Sequence, residues 1–230
     1  MPPFEAPMIL AYVSAYKTNL LHCRLLELES PQRYLNIEMP GKQAKVLSAS
    51  HTDDMLLFAD ATRHPARNRV LILLSVKAGL RAAEIAKLTW EMVLDPQRDI
   101  GPAIELRDIA AKMGHGRTIP IHTELRNALI ALRNQSSPLS GPVIRSERGG
   151  PMTPHSIVVW FERLYQMLGL NGCSSHSGRR TFITRAARLV YKAGGSLRDV
   201  QLLAGHRSIQ TTQRYIDGDS DAQRRLVSLI

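Results

Sequence analysis

Leu203-Ala204-Gly205-His206-Arg207-Ser208-Ile209-Gln210-Thr211-Thr212-Gln213-Arg214-Tyr215 closes one helix and opens another within a few residues. Gly205 follows a short periodic run, residues 197–203, that Ser196 caps. A glycine just past the last periodic residue is a helix stop, because it takes positive φ without a Cβ clash. Ser208 then serves as the N-cap of a second helix over residues 209–216. His206 is left in the turn and Tyr215 falls on the second helix. A tyrosine there suits core packing, but its neighbours Thr212, Gln213 and Arg214 are polar, which weighs against that.

Helical signals continue on both sides of this stretch. His176-Ser177-Gly178-Arg179-Arg180-Thr181-Phe182 begins a helix over residues 177–192, with Phe182, Ile183, Ala186 and Leu189 on the face turned to the core. Thr153-Pro154, an N-cap followed by proline at the first helical position, starts a helix ending before Gly169. Thr123 caps another that runs through Leu132. Further back, Ile104-Glu105-Leu106 and residues 118–121 read as strands flanking Lys112-Met113-Gly114-His115-Gly116, a two-glycine hairpin turn. Residues 66–78 form a buried helix closed by Gly79, and residues 82–88 a second, short one. Near the N-terminus residues 8–28 read as a helix that stops at Pro31, and residues 221–229 as a tail helix. The fold class is therefore mainly α with one small antiparallel sheet, an α+β arrangement.

Composition narrows the function. Hydrophobic residues are 44% and charged residues 22% of 230, which excludes a disordered, collagenous or coiled-coil chain. Cys23 and Cys173 are too few and too distant for a disulfide framework and fit a reducing compartment. No uncharged stretch near the N-terminus is long enough to span a bilayer, so the chain is expected in the cytoplasm. Residues 61–230 carry 25 basic and 13 acidic side chains, and 23 of the chain's 30 basic residues are arginine, the planar fork that matches phosphate oxygens. Nucleic acid is the partner this favours, with an arginine-rich solvated surface as the plainer competitor.

Four places carry chemistry. In Ala78-Gly79-Leu80-Arg81-Ala82-Ala83-Glu84-Ile85, Arg81 stands at a helix start just after a glycine turn. Lys112 on the hairpin turn is able to swing into a groove and protonate a leaving oxygen. His176 and Arg179, three apart near a helix start, share a face. The stretch from His176 to Arg214 holds eight basic residues and one acid, Asp199, which makes a phosphate-facing surface the better reading. Taken singly, each has an ordinary competitor: a surface arginine beside a capping glycine, a solvated turn lysine, a chance H-x-x-R.

Together and in this order, the stretches resemble the tyrosine recombinase (phage integrase) family: the A-G-L-R-x-x-E box, the hairpin lysine, H-x-x-R, and L-x-G-H followed by tyrosine in T-T-Q-x-Y. The resemblance runs from about Val46 to Ile216. It implies a site-specific recombinase that cleaves and rejoins DNA through a 3′-phosphotyrosine. Arg81 and Arg179 would grip the scissile phosphate, with Glu84 supporting the first. Lys112 would be the general acid, His176 and His206 the two histidine positions, and Tyr215 the nucleophile. Arg117, Arg180, Arg207 and Arg214 are expected on the DNA-binding surface. No cofactor and no metal are expected.

The same resemblance implies a homotetramer on two double-stranded DNA sites, an accessory DNA-bending factor, and a bacterial, nucleoid-associated protein. It divides the chain into a helical appendage over 1–50, a catalytic domain over 51–216 and a tail over 217–230, the last exchanged between subunits. About 45–60 residues precede the catalytic region, fewer than the family's N-terminal helical clamp needs, so the chain resembles short members such as fimbrial-switch invertases. Met113 departs from the small or polar residue that usually follows the lysine. Two other readings stand beside the recombinase: a type IB topoisomerase-like nicking-closing enzyme, and a non-catalytic DNA-binding remnant of a mobile element.

Overall fold

The apolar run over residues 70–76 is buried on every side, and the other elements are arranged around the helix that carries it in the computed structural model, which describes residues 44–111, 114–136, 140–215 and 227–228. That helix, α2 (Pro65–Val76), follows α1 (Ala49–Asp60). Then come α3 (Ala82–Lys87), a 3-10 turn over Trp90–Met92, β1 (Ala103–Leu106) and β2 (Arg117–Pro120). The order continues with α4 (Thr123–Asn134), α5 (Pro154–Met167), α6 (Ser177–Leu189), α7 (Leu197–Ala204) and α8 (Ile209–Gln213). The α+β reading holds: the described elements are helices apart from one antiparallel pair, with Ala103 opposite Pro120 and Leu106 opposite Arg117.

α2 packs against α1, α4 and α6, and Val70 to Val76 are all buried, so it carries no polar stripe. It stops at Val76, two residues earlier than its hydrophobic pattern suggests, and Gly79 turns the chain at φ +63°. A Cβ on Gly79 would collide with the Phe182 ring, so this glycine is needed for close approach to α6 as well as for its φ. On α6 itself Gly178 lies against Ser75 of α2, again with no room for a Cβ. Those two glycines set α6 tightly on α2 and on the corner that follows it, which fixes Arg179 relative to Arg81.

The caps explain most element boundaries. Thr153 accepts from the Ser156 N–H at 3.1 Å ahead of Pro154, as the sequence indicates. At α4 the cap is His122, whose Nδ1 accepts from the Glu124 N–H at 3.2 Å, and Thr123 is already helical. Ser196 and Asp199 close a reciprocal cap on α7, and Gly205 ends that helix at φ +62°. α8 ends at Gln213, so Tyr215 lies in the turn after the helix rather than on it.

Three further differences from the sequence reading have physical causes. α1 has no strong amphipathic pattern to betray it; Ser48 caps it and its buried face touches α2. It begins at Ala49, and Leu47 is buried with its N–H on Thr181 Oγ1 at 2.8 Å. The expected boundary at residue 50 falls just inside α1. Leu189 is 55% exposed, because the buried stripe of α6 runs through Ile183, Ala187 and Val190 at helical spacing and Leu189 lies off it. The helix expected over residues 8–28 and the tail helix expected over 221–229 lie outside the described residues, Val227 and Ser228 excepted.

Two apolar clusters result. The larger is built on α2, α4, α5 and the hairpin, with Trp90 and Phe161 fully buried. The smaller joins Ile183, Ala187 and Val190 of the α6 end to Val200 and Ala204 of α7, with Phe182 and Tyr215 packed on its edge. Tyr215 thus owes its position to the smaller cluster. Among the described residues, no helix is long and apolar enough to cross a membrane.

Candidate active site

Glu84 is the centre of the site. Its carboxylate is 1% exposed and takes four hydrogen bonds. Oε1 accepts from Arg81 Nη1 at 2.7 Å and Arg117 Nη1 at 3.1 Å. Oε2 accepts from the Arg81 backbone N–H and from Arg117 Nη2, both at 3.0 Å. The three-residue spacing from Arg81 to Glu84 makes this possible, since Glu84 reaches back over the first turn of α3 to the residue that precedes it. Burial by itself pushes the Glu84 carboxyl up; the hydrogen bonds and charge of Arg117, then Arg81, more than reverse this and leave it at about 2.

Arg179 approaches from α6 and is 4% exposed. Its Nη1 donates to the Gly79 carbonyl and its Nη2 to the Ala204 carbonyl, each at 2.6 Å. Both acceptors are freed by helix ends, one just past α2 and one closing α7, so the residue exploits carbonyls that have no helical partner. Burial, then the charge of Arg81, draws its guanidinium below the usual arginine range.

Nη2 of Arg179 also lies 3.1 Å from His206 Nε2. A guanidinium only donates, so Nε2 presents its lone pair and the imidazole proton sits on Nδ1, which donates to Thr212 Oγ1 at 2.9 Å. Burial first, then Arg179, Arg81 and Arg117, hold His206 down at about 4, which keeps it neutral at physiological pH. Gln201 Nε2 binds the His206 carbonyl at 2.8 Å and steadies the turn. The Tyr215 ring stacks on the imidazole with centroids 5.6 Å apart and planes 20° from parallel. Arg180 Cζ stands 5.8 Å from the centre of the same ring.

The structure therefore brings together Arg81, Glu84, Arg117, Arg179, His206 and Tyr215, with Arg180 alongside. His176 stands exposed at the N-cap of α6, three residues before Arg179. Arg207 and Arg214 are exposed, and Arg207 Nε donates to His115 Nε2 at 3.0 Å, joining the end of the β1–β2 connection to the α7–α8 turn. Arg117, expected on the DNA-facing surface, has a side chain only 7% exposed. Lys112 lies outside the described residues. Gln201 and Thr212, buried supports of His206, were not singled out from sequence. Thr212 entered the sequence reading only as a polar neighbour of Tyr215, and its partner across the turn was not legible.

Two guanidiniums, Arg81 and Arg117, share one carboxylate and a third, Arg179, lies close by, so the site carries surplus positive charge beside a phenol and a neutral imidazole. It is built to receive an anion next to a potential nucleophile. Among the described residues, no three or more His, Cys, Asp and Glu side chains converge as for a metal ion.

The description "Phage integrase family" belongs to the family model that matches residues 45–221. The tyrosine recombinase XerC of Bradyrhizobium diazoefficiens is 31% identical over 163 residues, covering 68% of this chain and 47% of that one. XerC of Nitrobacter winogradskyi is 30% identical over 203 residues, covering 80% and 59%. The chain thus spans about half the length of the curated relatives it matches. Among solved structures, the Tn1549 transposon integrase in complex with transposon right end DNA superposes at TM-score 0.63 with 20% identity, over 84% of this chain and 67% of that one. XerA recombinase superposes at 0.60 with 22% identity, over 98% and 76%. These two share the fold.

Proposed function

This chain belongs to the phage integrase family, and on that premise we propose that it is a site-specific DNA strand transferase acting through a tyrosine nucleophile. The observation that supports this most is the meeting of residues from distant parts of the chain in one place: Arg81 held by the buried Glu84 carboxylate, Arg179 bonded to His206, and Tyr215 stacked on that imidazole.

In this reading a backbone phosphate of duplex DNA enters between Arg81 and Arg179. Tyr215 attacks phosphorus: the bond from its phenolic oxygen forms, the bond to the 5′-oxygen breaks, and a 3′-phosphotyrosine and a 5′-hydroxyl result. The phenol's proton passes to a neighbouring base, for which His176 is the candidate. The 5′-oxygen takes its proton from Lys112. The two guanidiniums meet the charge that gathers on the non-bridging oxygens, and Glu84 holds Arg81 in place beforehand, so little reorganisation is left for the reaction itself. His206 completes the phosphate's surroundings. Because the phosphotyrosine retains the energy of the phosphodiester, attack by another 5′-hydroxyl rejoins the strand. Arg180, Arg207 and Arg214 supply contacts to flanking phosphates, which position without reading sequence.

The assembly that fits this chemistry is a homotetramer on two duplexes, linked through residues 217–230 and helped by a DNA-bending factor, in the compartment that holds chromosomal DNA. The test is a suicide duplex, nicked near the cleavage point and carrying a sequence selected from randomised DNA by binding to this chain. A covalent adduct on Tyr215 is the expected product. Relaxation of supercoiled plasmid by a protein that never joins two sites would favour a nicking-closing enzyme instead.

A further inference from the structure

Arg117 has the sequence position of a hairpin residue available to DNA, but its guanidinium is fully engaged inside the protein. Nη1 and Nη2 form a fork on Glu84 at 3.1 and 3.0 Å, and Nε donates to the Leu203 carbonyl at 2.9 Å. Its side chain is 7% exposed and the carboxylate it faces 1%. Gly205 adds independent support. A Cβ there would stand 3.0 Å from Arg117 Nη1 and 3.1 Å from its Cδ, so the turn that carries His206 is shaped to let this arginine lie against it.

The Leu203 and Ala204 carbonyls are consecutive at the end of α7, and two different arginines take them. Arg117 Nε holds the first and Arg179 Nη2 the second. Each arginine reaches with its other end to the corner after α2: Arg117 to Glu84, Arg179 to the Gly79 carbonyl. Four segments far apart in sequence, β2, α6, the α2–α3 corner with the first turn of α3, and the end of α7, are thereby fastened to one another by two side chains. Only Arg179 also touches His206.

We propose that Arg117 is a positioning residue rather than a DNA contact: it fixes the Glu84 carboxylate that orients Arg81 and the α7 end that delivers His206, so that both reach one phosphate. This rests on the strand-transferase reading. A planar fork is required, because a lysine ammonium cannot serve both carboxylate oxygens and a carbonyl at these angles. An error of about 1 Å in a phosphate-gripping group costs on the order of a hundredfold in rate. The cost therefore falls on the reaction, with DNA affinity left to other arginines.

Arg117→Lys and Arg117→Met should be compared with the unaltered chain by thermal unfolding, by half-site affinity across a salt series, and by single-turnover formation of the covalent complex. Arg117→Lys keeps one buried charge opposite Glu84 and is the variant expected to fold. The double variant Arg117→Met with Glu84→Gln removes both charges and avoids stranding the carboxylate. Cleavage at saturating DNA is expected to fall about a hundredfold or more in all three. The half-saturating DNA concentration should stay within about threefold, and the slope of log affinity against log salt should not change. A phosphate contact would lower that slope by about 0.9. A slope reduced by that amount, or cleavage that falls only as far as occupancy does, overturns the proposal. So does full activity in Arg117→Lys. An unaltered chain that binds the duplex and never forms a tyrosine adduct overturns the strand-transferase reading, and the proposal with it, before any variant is made.

Discussion

His206 turns its Nε2 lone pair to Arg179 Nη2 at 3.1 Å, and burial together with the surrounding arginine charge holds this imidazole neutral. Burial is the largest cause, and three arginines, Arg179 foremost, add to it electrostatically. The arrangement ties the stability of the site to pH in a defined direction.

His206 has a folded value of about 4 against 6.5 for the free side chain. Between those two values the unfolded chain binds a proton that the native chain refuses, so stability falls as pH drops from 6.5 towards 4. Urea unfolding of the unaltered chain and of His206→Gln at a series of pH values measures this. The unaltered chain should lose stability across that window, and His206→Gln should lose measurably less.

Glu84 acts in a lower window. Its folded value of about 2, against 4.5 unfolded, contributes stability that is complete above pH 4.5 and is lost as pH falls towards 2. Glu84→Ala strands two arginines around an empty site, and breaking a buried pair in this way costs about 3–5 kcal/mol. Chemical unfolding at neutral pH should show that loss, along with a drop in covalent-complex formation.

Gly205→Ala tests the turn that carries His206. Alanine at φ +62° is strained by about 1–3 kcal/mol, and its Cβ would press on Arg117. A lower melting temperature is expected together with a slower cleavage step. A variant that melts lower and cleaves at the normal rate would separate the turn's stability from its role in placing His206.

These expectations rest on contacts that the sequence announced unevenly. Helix starts at Thr153-Pro154 and Ser196 and the stop at Gly205 were legible, because capping is local chemistry written in adjacent residues. α1 was not, since its burial comes from its contact with α2 and not from a pattern of its own. Leu189 was misplaced because α6 has a narrow buried stripe, with polar Thr181 and Thr184 buried where apolar residues would be expected. In the site, Arg81, Arg179, His206 and Tyr215 stood out as a set only through their order along the chain. Arg117 carried no local sign of its partner: a buried fork and a phosphate contact both read as an arginine beside a strand. Its companions Glu84 and Leu203 lie far off in sequence, and only the folded arrangement joins them.

Lys112 has a chemical test that needs no geometry. As the general acid it should matter for an ordinary phosphodiester and much less for a 5′-bridging phosphorothiolate, whose sulfur leaves without a proton. Lys112→Ala is therefore expected to be slowed at least a hundredfold on the first substrate and brought close to the unaltered rate on the second. Equal slowing on both would assign Lys112 to phosphate binding instead.

Everything proposed for the site depends on Tyr215 becoming covalently attached to DNA. Trapping the unaltered chain and Tyr215→Phe on the same suicide duplex, followed by proteolysis and mass spectrometry of the nucleotide-bearing peptide, measures it directly. An adduct is expected on the peptide containing Tyr215 in the unaltered chain, none in Tyr215→Phe, and half-site affinities for the two that agree within about threefold, since only a phenolic oxygen is removed. A covalent adduct that persists in Tyr215→Phe, or one mapped to another residue of the unaltered chain, would contradict it.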